Sequence, residues 1–131
     1  MQGLRRVDTG TYALRIRLAE KLGIGTIDIN AMAFVGEVDG LTPKDLGKAL
    51  NITTGSVTAM VDRLEAKGFM VRKPNPTDRR SVLLHLSPEG TDAMQWANDH
   101  FAAAAGALLQ ASSEDSIVDI AEFLEGIGHR L

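Results

Sequence analysis

The chain contains no cysteine, which excludes disulfides, thiolate metal sites and cysteine-based redox sensing together. Stability must come from packing. Long hydrophobic runs are also missing. The longest stretch of apolar or small residues, Phe101 to Leu109, falls far below the ~20 residues needed to span a bilayer. No apolar segment follows Arg5 and Arg6 in the manner of a signal peptide. A cytoplasmic protein without a membrane partner is therefore expected. Catalytic patterns are absent as well. His85, His100 and His129 are scattered, with no nucleophile–base spacing, phosphate-binding glycine loop, H-x-x-H or convincing carboxylate pair. The expectation is a protein that is not an enzyme and has no metal site and no cofactor.

What remains is 131 residues, 44% of them hydrophobic, enough for one core and too few for two independent ones. The formal net charge of −3 argues against nucleic acid only if charge is evenly spread, and it is not. Arg63, Lys67, Arg72, Lys73, Arg79 and Arg80 stand against Glu65 and Asp78, a local balance of +4. From Asp99 to Leu131 six acids stand against Arg130, a balance of −5. This asymmetry fits a basic reading surface on an otherwise acidic molecule.

Along the chain, Leu4, Val7, Thr11, Leu14 and Leu18 recur at steps of three and four, a heptad-like helical stripe. Gly23 and Gly25 end this helix, and Thr26 reads as the N-cap of a short one running to about Gly36. Thr42 reads as the N-cap of a third helix with Pro43 in its first turn and Asp45 favourably placed for the helix dipole. After the turn Asn51-Ile52-Thr53, a fourth helix from about Thr54 to Lys67 buries Val57, Val61 and Leu64, and Gly68 stops it. The first turns of that helix present Thr54, Gly55, Ser56, Thr58 and Ala59, small or hydroxylated residues suited to close approach and hydrogen bonding in a major groove. Arg63 lies within reach of a phosphate.

Two strand-like runs follow, Phe69 to Lys73 and Ser81 to Leu86, with Pro74 and Pro76 expected to break pairing and define the loop. Arg72 and Lys73 on the first strand and Arg79 and Arg80 at the tip make this hairpin basic. Arg80 is the candidate for insertion into a minor groove. Asp78 is expected to shape the tip by accepting hydrogen bonds from loop amides or from an arginine. A helix-turn-helix pattern followed by a basic hairpin predicts a mainly α fold with a small β-hairpin wing.

The order of the capped helix Thr42 to Leu50, Ser56-Val57-Thr58, Asp62-Arg63-Leu64, Lys67-Gly68-Phe69, Pro76-Thr77-Asp78-Arg79-Arg80 and Leu86-Ser87-Pro88-Glu89-Gly90 resembles the MarR family of bacterial transcription factors (multiple antibiotic resistance regulators). The similarity is dense from about Gly23 to Gly90, and the D-x-R pattern at Asp78 and Arg80 is its most specific part. Asn75 departs from it, standing where members often carry an acid. The resemblance implies a winged helix-turn-helix at residues 25–90, flanked by dimerisation helices at 1–24 and 91–131. It also implies a double-stranded DNA partner, a wing arginine in the minor groove and a homodimer acting as a repressor. A small aromatic or anionic effector is implied between the dimerisation helices and the winged region, where Tyr12, Arg15, Phe34, Trp96 and His100 are the candidate lining residues.

The flanks carry their own pattern. Ser87 and Pro88 open a long helix whose Met94, Ala97, Phe101, Ala104 and Leu108 follow a three-four spacing that recurs at Ile117, Ile120, Leu124, Ile127 and Leu131. Such stripes need partners, found either within one chain as a bundle or across a two-fold dimer, which the resemblance favours. A dimer predicts a pseudo-palindromic DNA site. The alternative function is a winged-helix module that binds a protein partner, which steep salt dependence of duplex binding would separate from a DNA reader. Operator, regulated genes, direction of regulation and effector identity are not written in these residues.

Overall fold

The computed structural model describes residues 2–110. In chain order these form α1 (Gln2–Leu22), α2 (Thr26–Glu37), α3 (Pro43–Leu50), α4 (Thr54–Ala66), β1 (Met70–Pro74), β2 (Val82–Leu86) and α5 (Pro88–Gln110). The chain divides after Ala97 into two units; the first holds every element from α1 to the opening turns of α5. Among the described residues no helix is long and apolar enough to cross a membrane. The second flanking stripe, Ile117 to Leu131, and His129 lie outside the described residues.

Each helix boundary has a local cause. Gly23 at φ 66° closes α1, a left-handed conformation that glycine adopts without a Cβ penalty. The cap of α2 is Gly25 and not Thr26. Asp28, in the third helical position, reaches back so that its Oδ2 accepts the Gly25 N–H at 3.0 Å, which closes the helix end one residue earlier than the threonine would. At α3 the expected cap is in place: the Asp45 N–H donates to Thr42 Oγ1 at 3.2 Å, with Pro43 opening the helix. Asn51 takes a left-handed conformation at the end of α3, and Thr53 then caps α4 by accepting the Ser56 N–H at 3.2 Å.

The core of the first unit gathers one face from each element. Ala31, Met32 and Val35 of α2, Leu46 of α3, Val57, Met60, Val61 and Leu64 of α4, Met70 of β1 and Leu84 of β2 form one buried cluster. A second cluster joins Leu18 and Ala19 of α1, Ile29 of α2 and Ala97 of α5. The close approach of α3 and α4 uses Gly47, where an added Cβ would lie 3.1 Å from Val57 Cγ2.

The strands pair antiparallel from Met70 opposite Leu86 to Pro74 opposite Val82. Pro74 thus ends β1 inside the register, where the sequence suggested that it breaks pairing. A two-stranded ribbon consists of edges, on which proline's missing N–H is tolerated. The ribbon is tied down at the middle of β2, where the Leu84 N–H donates to the Leu41 carbonyl at 2.8 Å, and at its base, where Ser87 bridges to α5. Ser87 is buried; its Oγ accepts the Gly90 N–H at 2.9 Å and donates to the Gly68 carbonyl.

Candidate nucleic-acid interface

With Val57, Met60, Val61 and Leu64 turned inward, helical periodicity leaves the remaining positions of α4 facing solvent. Thr54, Gly55, Ser56, Thr58 and Ala59 are all exposed. Their hydroxyls are ordered by local bonds. Thr53 Oγ1 donates to Ser56 Oγ at 2.9 Å, and Thr58 Oγ1 donates to the Thr54 carbonyl at 3.1 Å. Apart from its chain neighbours and its own helix backbone, no described atom lies within 4 Å of the place a Cβ on Gly55 would occupy. The start of α4 therefore offers a low, hydroxyl-bearing surface that another molecule can approach closely.

The wing tip is built by two short carboxyl and amide side chains. Asp78 Oδ1 accepts the Arg80 N–H at 2.9 Å, and the Asp78 carbonyl accepts the Ser81 N–H at 3.2 Å. Of the two kinds of partner anticipated for Asp78, the structure supplies a loop amide. Asn75 makes a similar turn three residues earlier, its Oδ1 accepting from Thr77 N at 3.1 Å and Thr77 Oγ1 at 2.9 Å. That second turn was not read from the sequence, although an Asx residue two positions before a donor amide is its ordinary signature.

The cations fall into two groups. Lys67, Lys73, Arg79 and Arg80 are exposed, and among the described residues no ion pair engages them. Arg63 and Arg72, both candidates for phosphate contact, are instead held by carboxylates. Arg63 Nη2 donates to Asp28 Oδ1 at 2.8 Å, joining α4 to α2; the Asp28 side chain is 4% exposed and that of Arg63 52%. A buried carboxylate requires such a partner. Arg72 reaches from β1 to two acids of α4, with Nη2 donating to Asp62 Oδ1 at 2.7 Å and Nη1 to Glu65 Oε2. Burial alone would lower the Arg72 pKa, but the hydrogen bonds and charges of Asp62 and Glu65 outweigh it and hold the guanidinium above its ordinary value.

The candidate effector-lining residues have separate settings. Tyr12 is 64% and Phe34 38% exposed. Arg15 Nη1 donates to Asn30 Oδ1 at 2.8 Å, linking α1 to α2. Lys21 Nζ sits 4.0 Å from the centre of the Trp96 ring, a cation–π contact between residues 75 positions apart that the sequence alone does not reveal. His100 lies beyond Ala97, in the second unit. Among the described residues no cluster of three or more potential metal ligands occurs.

The model of the MarR family matches residues 31–82, from the middle of α2 to the start of β2. The uncharacterized HTH-type transcriptional regulator YcgE of Bacillus subtilis is 37% identical over 84 residues, 64% of this chain and 54% of that protein. The multiple antibiotic resistance protein MarR of Salmonella typhimurium is 48% identical over 50 residues, 38% of this chain and 35% of that one. The chain thus spans about half or less of the length of these curated relatives. Among solved structures, wild-type MarR from E. coli in its apo form superposes with a TM-score of 0.73 at 24% identity, covering 96% of this chain and 94% of that one. Streptococcus pneumoniae FabT in complex with DNA gives 0.78 at 24% identity, covering 98% and 94%. At this identity the two structures speak for the fold, a winged helix-turn-helix.

Proposed function

We propose that this chain, whose residues 31–82 match the model of the MarR family, is a transcriptional regulator that binds duplex DNA as a homodimer and represses from a pseudo-palindromic operator. The start of α4 enters the major groove, where Thr54, Ser56 and Thr58 meet base edges and phosphates and Gly55 and Ala59 permit close approach. The helix N-terminus offers its amides to the backbone. The wing lies over the adjacent minor groove with Arg80 inserted and Arg79 and Lys73 beside it. Residues 1–24 and 91–131 supply the two-fold interface, which spaces the two reading helices about one helical turn apart.

A small aromatic or anionic ligand relieves binding by preferring a dimer geometry that does not fit the operator; a tenfold effect requires about 1.4 kcal/mol of such preference. Tyr12, Arg15, Phe34, Trp96 and His100 remain the residues proposed to meet it.

The observation that carries this reading is the pairing, on one unit, of an exposed, uncharged α4 start with an arginine-bearing tip whose backbone Asp78 shapes. Its test is selection from random and genomic duplex DNA at about physiological salt with non-specific competitor present. Enrichment of an inverted repeat, with affinity falling steeply as salt rises, is expected. No enrichment by folded protein, with salt-insensitive capture of a protein partner, would replace this reading with that of a protein-binding winged helix.

A further inference from the structure

Asp62 and Glu65 stand three residues apart on α4, and Asp62 follows Thr58 and Ala59 at steps of four and three. It therefore continues the outward stripe that begins the proposed reading face, about 4.5 Å further along the axis than Ala59. Carboxylates in that place repel a polyanion, since about 8 Å of physiological saline is needed to screen one charge from another. Both are bridged by the single guanidinium of Arg72 on the wing strand. The side chain of Arg72 is 28% exposed, against 60% for Asp62 and 40% for Glu65, so the cation lies inward and the acids lie at the surface. The bridge also spans two elements, fixing β1 against α4. A fork of planar donors suits this double contact, which a lysine ammonium cannot reproduce in the same geometry.

We propose that Arg72 is a positioning residue for duplex binding: it masks the two carboxylates that α4 carries into the reading face, without itself touching DNA. The inference rests on the DNA-binding reading above. A guanidinium already held by two acids gains little by moving to a phosphate, whereas its removal leaves two negative charges beside the backbone.

The test is fluorescence anisotropy with a labelled duplex recovered in the selection, comparing wild type, Arg72→Gln, the double variant Asp62→Asn/Glu65→Gln and the triple variant carrying all three. Arg72→Gln is expected to weaken binding ~10-fold near 0.15 M salt, with the deficit shrinking toward 0.5 M because repulsion is screened. The triple variant, with nothing left to mask, should bind within about threefold of wild type, since it replaces a bridged triad of net charge −1 by neutral side chains. A triple variant as weak as Arg72→Gln would mean direct contact and overturn the proposal, and so would unchanged binding by Arg72→Gln in a wild type that binds. If Arg72→Gln fails to fold, the triple variant decides: binding within about threefold of wild type supports masking, and a larger loss overturns it. Wild-type protein that binds no duplex overturns the masking role together with the reading on which it rests.

Discussion

Gly90→Ala should destabilise the winged unit by about 2–4 kcal/mol, although alanine is the better helix former. An added Cβ at Gly90 would sit 2.0 Å from the Phe69 carbonyl oxygen and 3.0 Å from its carbon. Both atoms are backbone, at the base of the hairpin, and cannot rotate away. Relief requires the first turn of α5 to move off the hairpin by about 1 Å, an overpacking displacement of the kind that costs about 1–3 kcal/mol or more. That movement also strains three hydrogen bonds around Ser87, to Gly90 N, the Gly68 carbonyl and the Phe69 carbonyl, each with a net worth of about 1 kcal/mol. Against this stands the helix-propensity gain of about 1 kcal/mol on replacing glycine by alanine. Urea unfolding at fixed protomer concentration reads the difference as a lowered midpoint with an unchanged slope. A midpoint equal to or above that of wild type would refute the close approach of α5 to Phe69.

Gly55→Ala provides the opposite sign. With no described atom beyond its own helix backbone and chain neighbours within 4 Å of the new Cβ, it should raise stability by about 0.5–1 kcal/mol, while weakening duplex binding in anisotropy because the methyl group stands on the proposed reading face. Arg80→Ala should lower duplex affinity by about 1–3 kcal/mol, the range of a good base-edge contact, with the oligomeric state unchanged in analytical ultracentrifugation; unchanged affinity would remove Arg80 from the interface. Asp78→Ala should weaken binding through the tip that its Oδ1 shapes, and Asp78→Asn, which keeps an acceptor for the Arg80 N–H, should recover much of the loss.

The helices were legible because their boundaries are written in short-range chemistry. Thr42 and Pro43 state one start, Gly23 and Gly68 state two ends, and a three-four spacing assigns the buried face of α4. The exceptions are informative. Thr26 looked like a cap, yet the choice fell to Gly25 because Asp28 is placed to accept its N–H, a preference visible only when the third helical position is weighed with the first. Pro74 looked like a strand breaker because the sequence does not say that its strand has an open edge. The wing was legible from Asp78 and Arg80, whose contact spans two residues. What the sequence could not express were contacts across elements: Arg63 with Asp28, thirty-five positions apart, and Arg72 with Asp62 and Glu65. One sign was present nonetheless. Two acids on the outward side of a helix assigned to a phosphate-lined groove demand a neutralising partner.

On the proposed DNA-binding function, this division of the cations has a measurable consequence for how a chain of net charge −3 would hold a polyanion. Each phosphate neutralised in a complex contributes about −0.9 to the slope of log affinity against log salt, so in a two-fold dimer one cation per protomer that meets a phosphate accounts for about −1.8. Lys73 is exposed and outside every ion pair among the described residues, and Lys73→Ala should flatten the slope by about that amount. Arg63 is equally cationic and half exposed, but its guanidinium is held by the buried Asp28 carboxylate. Arg63→Gln should therefore leave the slope nearly unchanged and appear instead as lost stability, because among the described residues Asp28 is left buried with the Gly25 N–H as its remaining side-chain hydrogen bond. Equal flattening by the two substitutions would mean that Arg63 leaves Asp28 for a phosphate on binding, and that the ion pair between α2 and α4 belongs to the DNA-free protein alone.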